Sequence, residues 1–218
     1  MEGHFDPVPI LILLMMMGLV PFAIVMTTSF AKIVVVLFLF RQALGLQQAP
    51  PNMVLYGTAL ILTIFISAPL FKEIATTVAS QNEAVTMDNL SGIQNSISLA
   101  TEPIKGHLKH LVKESEFSFF SETAKKMWPA DMAEATEADS LLLLVPAFMV
   151  SELTRAFEIG FMLYLPFIAI DLIVSNLLLA MGSMMVSPMM ISLPLKLFLF
   201  VIVDGWNRLL HGLVLSYQ

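Results

Sequence analysis

The sequence predicts an all-α protein made of long, kinked hydrophobic helical hairpins with an inserted soluble helical region, and three observations lead to this prediction. The chain is 57% hydrophobic and only 13% charged, whereas about 25% of the residues of an ordinary soluble domain are charged. Several apolar runs reach the roughly 20 residues that a helix needs to cross a membrane. A polar stretch, 73–139, separates two hydrophobic segments, 1–72 and 140–218.

The segment 1–72 contains two apolar tracts, which we expect to form an N-terminal helical hairpin. The first, 8–40, would be about 50 Å long as one helix, well beyond the roughly 30 Å of the hydrocarbon core. Pro21 lacks an amide hydrogen, so we predict a kink there. The second tract, 53–71, contains no charge, and Asn52 can cap its first turn. Acids and no Lys or Arg precede the first tract, which predicts a retained segment rather than a cleaved signal peptide.

The segment 73–139 has a different composition and is predicted to be soluble and mostly helical. Residues 72–140 include six of the eleven basic and eleven of the seventeen acidic residues of the chain. We expect a periplasmic position, because no loop has the excess of Lys and Arg that keeps a segment cytoplasmic. Four apolar residues of the string PIKGHLKHLVKE recur at helical spacing: Ile104, Leu108, Leu111 and Val112.

Two histidines of the same string, His107 and His110, have a spacing that could serve a metal ion. Lysines flank them and the chain has no cysteine, so we favour a solvated surface and expect no metal. The absence of cysteine also excludes disulfides, thiolate zinc sites and cysteine nucleophiles. No Ser-His-Asp order, nucleotide loop or paired-carboxylate signature is recognisable, so we expect neither an enzyme nor a cofactor. No basic run indicates a nucleic-acid partner.

The segment 140–218 contains two further tracts, 141–181 and 189–203, and their short connection predicts an antiparallel hairpin. The connection lies in the string AMGSMMVSPMMIS, which has five methionines in thirteen residues. Methionine is unbranched and adaptable, so one interpretation is the filling of an irregular core. The other interpretation is a deformable collar, in which several copies around an axis close a pore with thioether side chains.

At least six ionisable residues lie in the apolar tracts, where an unpaired charge is costly. Glu152, Arg155 and Glu158 are spaced i, i+3 and i+6, so they share one helical face. They could pair along one helix, but the cost of three charges facing lipid favours a polar seam against a neighbouring helix or subunit. The other three residues are Lys32, Asp171 and Lys196.

Hairpin geometry predicts a partner for Lys196. If the turn centres on Met184 and Met185, position 171 lies opposite about position 198, within one helical turn of Lys196. Asp171 and Lys196 could therefore form an intrachain ion pair. The alternative is a proton-relay role for Asp171, which we consider less favoured because no other titratable group lies near it on that tract.

Long blocks at both ends of the chain resemble a known family. The block PFAIVMTTSFAKIVVVLFLFRQALGLQQAPPNMVLYGTALILT is similar to the N-terminal part of the FliP/SctR proteins, which are export-gate subunits of the bacterial flagellum and of type III secretion injectisomes. The blocks LVPAFMVSELTRAFEIGFMLYLPFIAIDLIVSNLLLAMGSMMVSP and ISLPLKLFLFVIVDGWNRL match the C-terminal part. The string SELTRAFEIGF indicates the injectisome branch of the Ysc type. The blocks together cover more than half of the chain, in the right order.

The resemblance implies an assembly that spacing could not show. Family members form a ring, or pseudo-helix, of five identical subunits with SctT/FliR-type and SctS/FliQ-type partners, and they work with SctU-type and SctV-type export proteins. The assembly lies at the periplasmic side of the bacterial inner membrane and conducts unfolded secretion substrates. The apolar hairpins would then be buried mainly against other subunits instead of lipid.

The resemblance also implies a role for the loop 182–190, which corresponds to a methionine gasket that narrows the closed channel. Family members usually have three consecutive methionines after the glycine, whereas this chain has Ser183 in the first place. The gasket residues carried over to this chain are Met184 and Met185, supported by Met189 and Met190.

One residue pairing and two other functions stay open at this point. The resemblance implies a salt bridge between Glu152 and Lys196, which is an alternative to the Asp171–Lys196 pair. Of the two pairings we favour Glu152–Lys196. A proton-coupled membrane transporter would instead use Asp171, Glu152 and Lys196 as its relay. A third possibility is a scaffold whose loop 182–190 never lines a pore.

Overall fold

The computed structural model describes residues 8–80, 90–136, 140–183 and 185–218. These residues form nine α-helices and no strand, which confirms the all-α prediction. In chain order the helices are α1 (Val8–Thr27), α2 (Phe30–Ala43), α3 (Asn52–Ala79), α4 (Leu90–Leu111), α5 (Glu114–Met127), α6 (Ala130–Ala135), α7 (Leu141–Ala180), α8 (Pro188–Ile202) and α9 (Gly205–Leu215).

Packing divides the chain into two compact units. The first comprises the described parts of Met1–Ser29 and Ser67–Glu152, and the second comprises Phe30–Ile66 and Leu153–Gln218. Both α3 and α7 contribute residues to each unit. This division follows contacts in space, whereas the three segments predicted from the sequence follow composition along the chain.

The first unit is held together by α4 and the N-terminal part of α7. Leu108 of α4 packs with Leu144 and Phe148 of α7, and all three side chains are buried. Burying one such side chain contributes about 1.5–3 kcal/mol. The described residues of the polar insertion are mostly helical. The predicted helical spacing is confirmed, because the other apolar residues of the string pack against this cluster: Ile104, Leu111 and Val112.

In the second unit α2 is the central helix. Its buried apolar residues follow the i, i+3, i+4, i+7 spacing of one helical face. Gly160 of α7 allows close packing against it, because an added Cβ would lie 2.4 Å from Cδ1 of Leu39. The buried face of α2 consists of Ile33, Val36, Leu37 and Phe40.

The first break between described helices follows Thr27, and Pro21, where the sequence predicted a kink, lies inside α1. α1 continues through Pro21 and ends at Thr27, and α2 begins three residues later. Thr27 Oγ1 donates a hydrogen bond of 2.7 Å to the Ala23 carbonyl, and Thr28 Oγ1 donates one of 2.6 Å to the Ile24 carbonyl. Hydroxyl groups that bond back to the preceding turn loosen a helix, so the threonines mark the break more closely than the proline does.

A second break, which we did not predict, separates α8 from α9 with a bend of 64°. Asp204 has a φ of 51°, in the left-handed region that Asp tolerates better than most residues. At Gly205 an added Cβ would lie 1.9 Å from the ring of Phe200, so a larger residue there would displace the ring. The Asp-Gly pair is a turn signal that could have indicated this break.

Arg41 organises the connection between α2 and α3. Its Nη1 donates hydrogen bonds to Asn52 Oδ1 at 2.6 Å and to the Pro50 carbonyl at 3.1 Å. Asn52 is the first residue of α3, and its side chain accepts from Arg41 instead of capping the helix as predicted. α3 also extends through Pro69 to Ala79, beyond the apolar tract that predicted it.

Among the described helices, α3 and α7 are each long and apolar enough to cross a membrane. The number rises to four if each of the bent pairs α1–α2 and α8–α9 counts as one span. Within the chain, only 28% of the most apolar stretch of α3 and 17% of that of α7 is buried. Such extensive apolar surface needs cover from lipid or from other proteins.

Candidate functional site

The methionine loop, residues 181–190, leads from the end of α7 into the first turn of α8. α7 ends in a Schellman motif, in which the Gly182 amide donates to the Leu179 carbonyl and the Ser183 amide donates to the Leu178 carbonyl, both at 3.0 Å. Gly182 has a φ of 70°, which costs glycine little because it has no Cβ. The glycine therefore turns the chain sharply after a helix of 40 residues.

The described methionines of this loop are exposed. The side chain of Met185 is 100% exposed, and Met181 and Met190 are each 76% exposed. Met189 is 47% exposed, and Met184 lies outside the described residues. Met185 consequently fills no gap in the core of its own chain.

A buried lysine lies at the base of the methionine loop. Lys196 of α8 is 5% exposed, and its Nζ lies 2.6 Å from Oδ2 of Asp171 on α7. Nζ also donates a 3.2 Å hydrogen bond to the carbonyl of Ala43, the last residue of α2. A cation at this position is favourable, because the C-terminal end of a helix carries partial negative charge. We call Lys196, Asp171 and Ala43 the lysine clamp.

A cavity of about 450 Å³ borders both the lysine clamp and the methionine loop. Its lining includes Asp171, Ser192 and Met189. Cε of Met189 lies close to the α2–α3 connection, 3.7 Å from where a Cβ on Gly45 would be. The first turn of α8 therefore lies against the α2–α3 connection.

The structure places the predicted charges in different environments. It brings Lys196 together with Asp171, the first of the two pairings considered for it. Glu152 belongs to the first unit and Lys196 to the second. Along α7, Glu152 is fully buried, Arg155 is half-buried and Glu158 is exposed, and none of these three lacks an interaction partner.

His110 is exposed, as predicted for both histidines, whereas His107 is half-buried. The reason is the packing of α4 on α7 through Leu108. The Lys113 amide, just before α5, also donates a 3.0 Å hydrogen bond to Ser151 Oγ of α7. Burial lowers the pKa of His107, an effect that the carboxylate of Glu152 opposes and that His110 reinforces. Among the described residues no group of three or more His, Asp or Glu could hold a metal ion.

The sequence singled out Lys32 but gave no signal for its partner. Lys32 is 1% exposed, and its Nζ lies 3.5 Å from the centre of the Tyr217 ring. A cation over an aromatic face is stabilised by the ring quadrupole. Lys32 and Tyr217 lie near opposite ends of the chain, so only the folded structure brings them together.

Comparison with known proteins shows to which family the chain belongs. The profile of the FliP family matches residues 13–213, from within α1 to within α9. The chain belongs to the FliP family. It is 51% identical to the Yop proteins translocation protein R of Yersinia pestis, with 97% of each chain covered. It is 44% identical to the harpin secretion protein HrcR of Erwinia amylovora and to the virulence protein YscR of Salmonella typhimurium, with 98% of each chain covered in both cases.

These matches confirm the resemblance found in the sequence. The region matched by the FliP family includes the whole methionine loop and all three residues of the lysine clamp. This FliP-family chain spans nearly the full length of the three relatives.

Proposed function

We propose that this FliP-family protein is a core subunit of the export gate of a type III secretion system. Its relatives are named as translocation, secretion and virulence proteins. Since the similarity spans nearly the whole chain, the same broad role in protein secretion is expected here. In this role the protein forms part of the channel through which unfolded substrates cross the bacterial inner membrane.

The full exposure of Met185 is the observation that carries the proposal. A large apolar side chain at the tip of a sharp turn gains nothing from water, so it needs a surface outside its own chain. A ring of five copies, with SctT/FliR-type and SctS/FliQ-type partners, would supply that surface by gathering the loops at one axis. Met184 and Met185 would then form the gasket, and Met189 and Met190 would support it.

Thioether side chains suit a gate that must seal and yet yield. Methionine has three rotatable side-chain bonds and a polarizable sulfur, so it repacks around different shapes at low cost. The lysine clamp would hold the base of the loop while the tip moves. Opening is then a shift in the population of side-chain arrangements that a passing polypeptide favours.

A proton-coupled transporter is the second candidate, and one observation favours it. Asp171 pairs with Lys196 but keeps 44% of its side chain exposed, and it lines a cavity. Carboxylates in such positions can relay protons. On that account Asp171→Asn abolishes coupled transport while the methionines are dispensable.

The test is the ion permeability of complexes purified with their partner subunits and reconstituted in liposomes. We expect Met185→Ala to increase the leak of small ions, because a shorter side chain leaves the aperture open. Met162→Ala is the matched control, since Met162 is 63% exposed but lies on α7 away from the loop. Equal permeability of the two variants, with assembly intact, would contradict the gate and leave the scaffold as the better account.

A further inference from the structure

The second unit contains an apolar cleft of about 300 Å³ beside the break between α8 and α9. This volume is at the lower end of the range for small-molecule sites, about 300–1,000 Å³. α9 contributes Gly205, Arg208 and Leu209, which follow the i, i+3, i+4 spacing of one helical face. The other walls are apolar side chains of α2, α7 and α8, among them Phe40, Leu163, Phe167, Leu199 and Phe200.

The aromatic walls of the cleft are held in place by one another. The ring centres of Phe40 and Phe200 are 4.9 Å apart, and Trp206 lies 5.7 Å from Phe40 and 5.6 Å from Phe200. Tilted and edge-on contacts at these distances are favourable. The cleft is therefore formed before anything enters it.

Arg208 is the charged residue of the cleft lining. No carboxylate among the described residues forms an ion pair with it. Asp204, one turn earlier, accepts a hydrogen bond of 2.8 Å from the side-chain amide of Asn207. Arg208 is an exposed residue in an otherwise apolar lining, so it is available to an anion from outside the chain.

We propose that this cleft binds an anionic phospholipid, with part of an acyl chain against the aromatic walls and the phosphate on Arg208. Charge complementarity selects this occupant. A planar guanidinium forms two parallel hydrogen bonds to a phosphate, whereas an apolar side chain of another protein would leave the charge unmatched. Trp206, two residues before Arg208 on α9 and 40% exposed, fits this occupant, because tryptophan is enriched where lipid head groups meet the apolar core.

The proposal is independent of the export-gate role, and native mass spectrometry of the purified complex tests it. The complex is incubated with phosphatidylglycerol or phosphatidylethanolamine carrying the same acyl chains, and the retained lipids are counted. We expect phosphatidylglycerol to be retained preferentially. Arg208→Gln is expected to reduce this retention about tenfold, the loss of one charge-assisted contact, without changing that of phosphatidylethanolamine.

Three further variants make the result specific. Arg208→Lys keeps a point charge and should recover part of the retention. Leu163→Trp fills the cleft and should reduce the retention of both lipids. Lys125→Gln removes an exposed cation of α5 and should change nothing. The proposal is overturned if the unaltered protein retains both lipids equally, or if Arg208→Gln, folded to the same helical content, retains phosphatidylglycerol as before.

Discussion

At the scale of the residue, the lysine clamp is asymmetric. Lys196 is almost completely buried, whereas the side chain of Asp171 is 44% exposed. Removing one partner of a buried ion pair is costly mainly because the other charge is stranded. The stranded lysine cannot reach water, but the stranded carboxylate can. The two halves of the pair should therefore differ in the effect of their removal.

We expect Asp171→Ala to lower the free energy of unfolding by about 3 kcal/mol and Lys196→Met by about 1–2 kcal/mol. Lys196→Met should cost less because methionine keeps the apolar packing, and the loss that remains comes from the hydrogen bond to the Ala43 carbonyl. Denaturation in detergent, followed by circular dichroism, measures both. The double variant should be more stable than the sum of the two losses predicts. A larger loss of unfolding free energy for Lys196→Met than for Asp171→Ala would contradict the burial of Lys196 as the cause of the asymmetry.

His107 predicts a dependence of stability on pH. Because burial lowers its pKa in the folded protein, the unfolded chain binds a proton first as the pH falls below about 6.5. Stability should therefore be undiminished above that pH and decrease below it, until the folded form is protonated as well. His107→Gln should make the melting temperature nearly independent of pH between about 7.5 and about 5.5. His110→Gln should keep most of the pH dependence of the melting temperature. An unchanged slope in His107→Gln would assign the effect to other groups.

At the scale of the element, the bend between α8 and α9 depends on Gly205. An added Cβ would lie 1.9 Å from the ring of Phe200, and that ring is packed against Phe40 and Trp206. The ring cannot move without opening the aromatic cluster. Any side chain at this position should therefore destabilise the fold, although alanine favours helices more than glycine does.

Gly205→Ala is expected to lower the free energy of unfolding by about 1–3 kcal/mol, the usual cost of overpacking a core. Gly212 of the same helix is the matched control, because nothing lies within 4 Å of an added Cβ there. Gly212→Ala should be neutral or should stabilise by up to about 1 kcal/mol. The change in the denaturation midpoint compares the two, and equal effects would mean that the contact with Phe200 does not constrain the bend.

The sequence predicted most helices but few of their ends. Apolar length was sufficient to predict α3 and α7. Helical spacing was sufficient for the core-facing side of α4, where burial determines the pattern. The break after Thr27 depends on hydroxyl groups that compete for backbone carbonyls, and the break after Ile202 depends on the contact of Gly205 with Phe200. Both involve partners that periodicity does not reveal.

The site was predictable to a similar extent. Hairpin spacing was sufficient to propose Asp171 next to Lys196, since both lie on helices joined by a short turn. It could not reveal the Ala43 carbonyl as the third member of the clamp, nor Tyr217 over Lys32, because those contacts join distant parts of the chain. The burial of His107 likewise depends on tertiary structure, because its packing partner α7 begins only at Leu141, whereas α4 ends at Leu111.

At the scale of the whole molecule, the chain does not cover its own apolar surface. The most apolar stretches of α3 and α7 are only 28% and 17% buried, and Met185 is fully exposed. Lipid can cover the helices, but a sharp turn that carries several methionines is better covered by the same loop of other copies of the chain. Rotational symmetry would bring identical loops together at the axis. The proposed gate therefore requires that the methionine loops of different copies touch.

The most direct test is disulfide formation between copies of a Met185→Cys variant in native membranes. The chain has no cysteine, so the introduced thiol is its only one. We predict that mild oxidation yields covalent dimers of this chain, whereas Met162→Cys, also exposed but on α7, yields only the low level due to chance collision. If Met185→Cys stays monomeric under oxidation while the complex remains assembled, the methionine loops do not meet, and the proposed gate is contradicted.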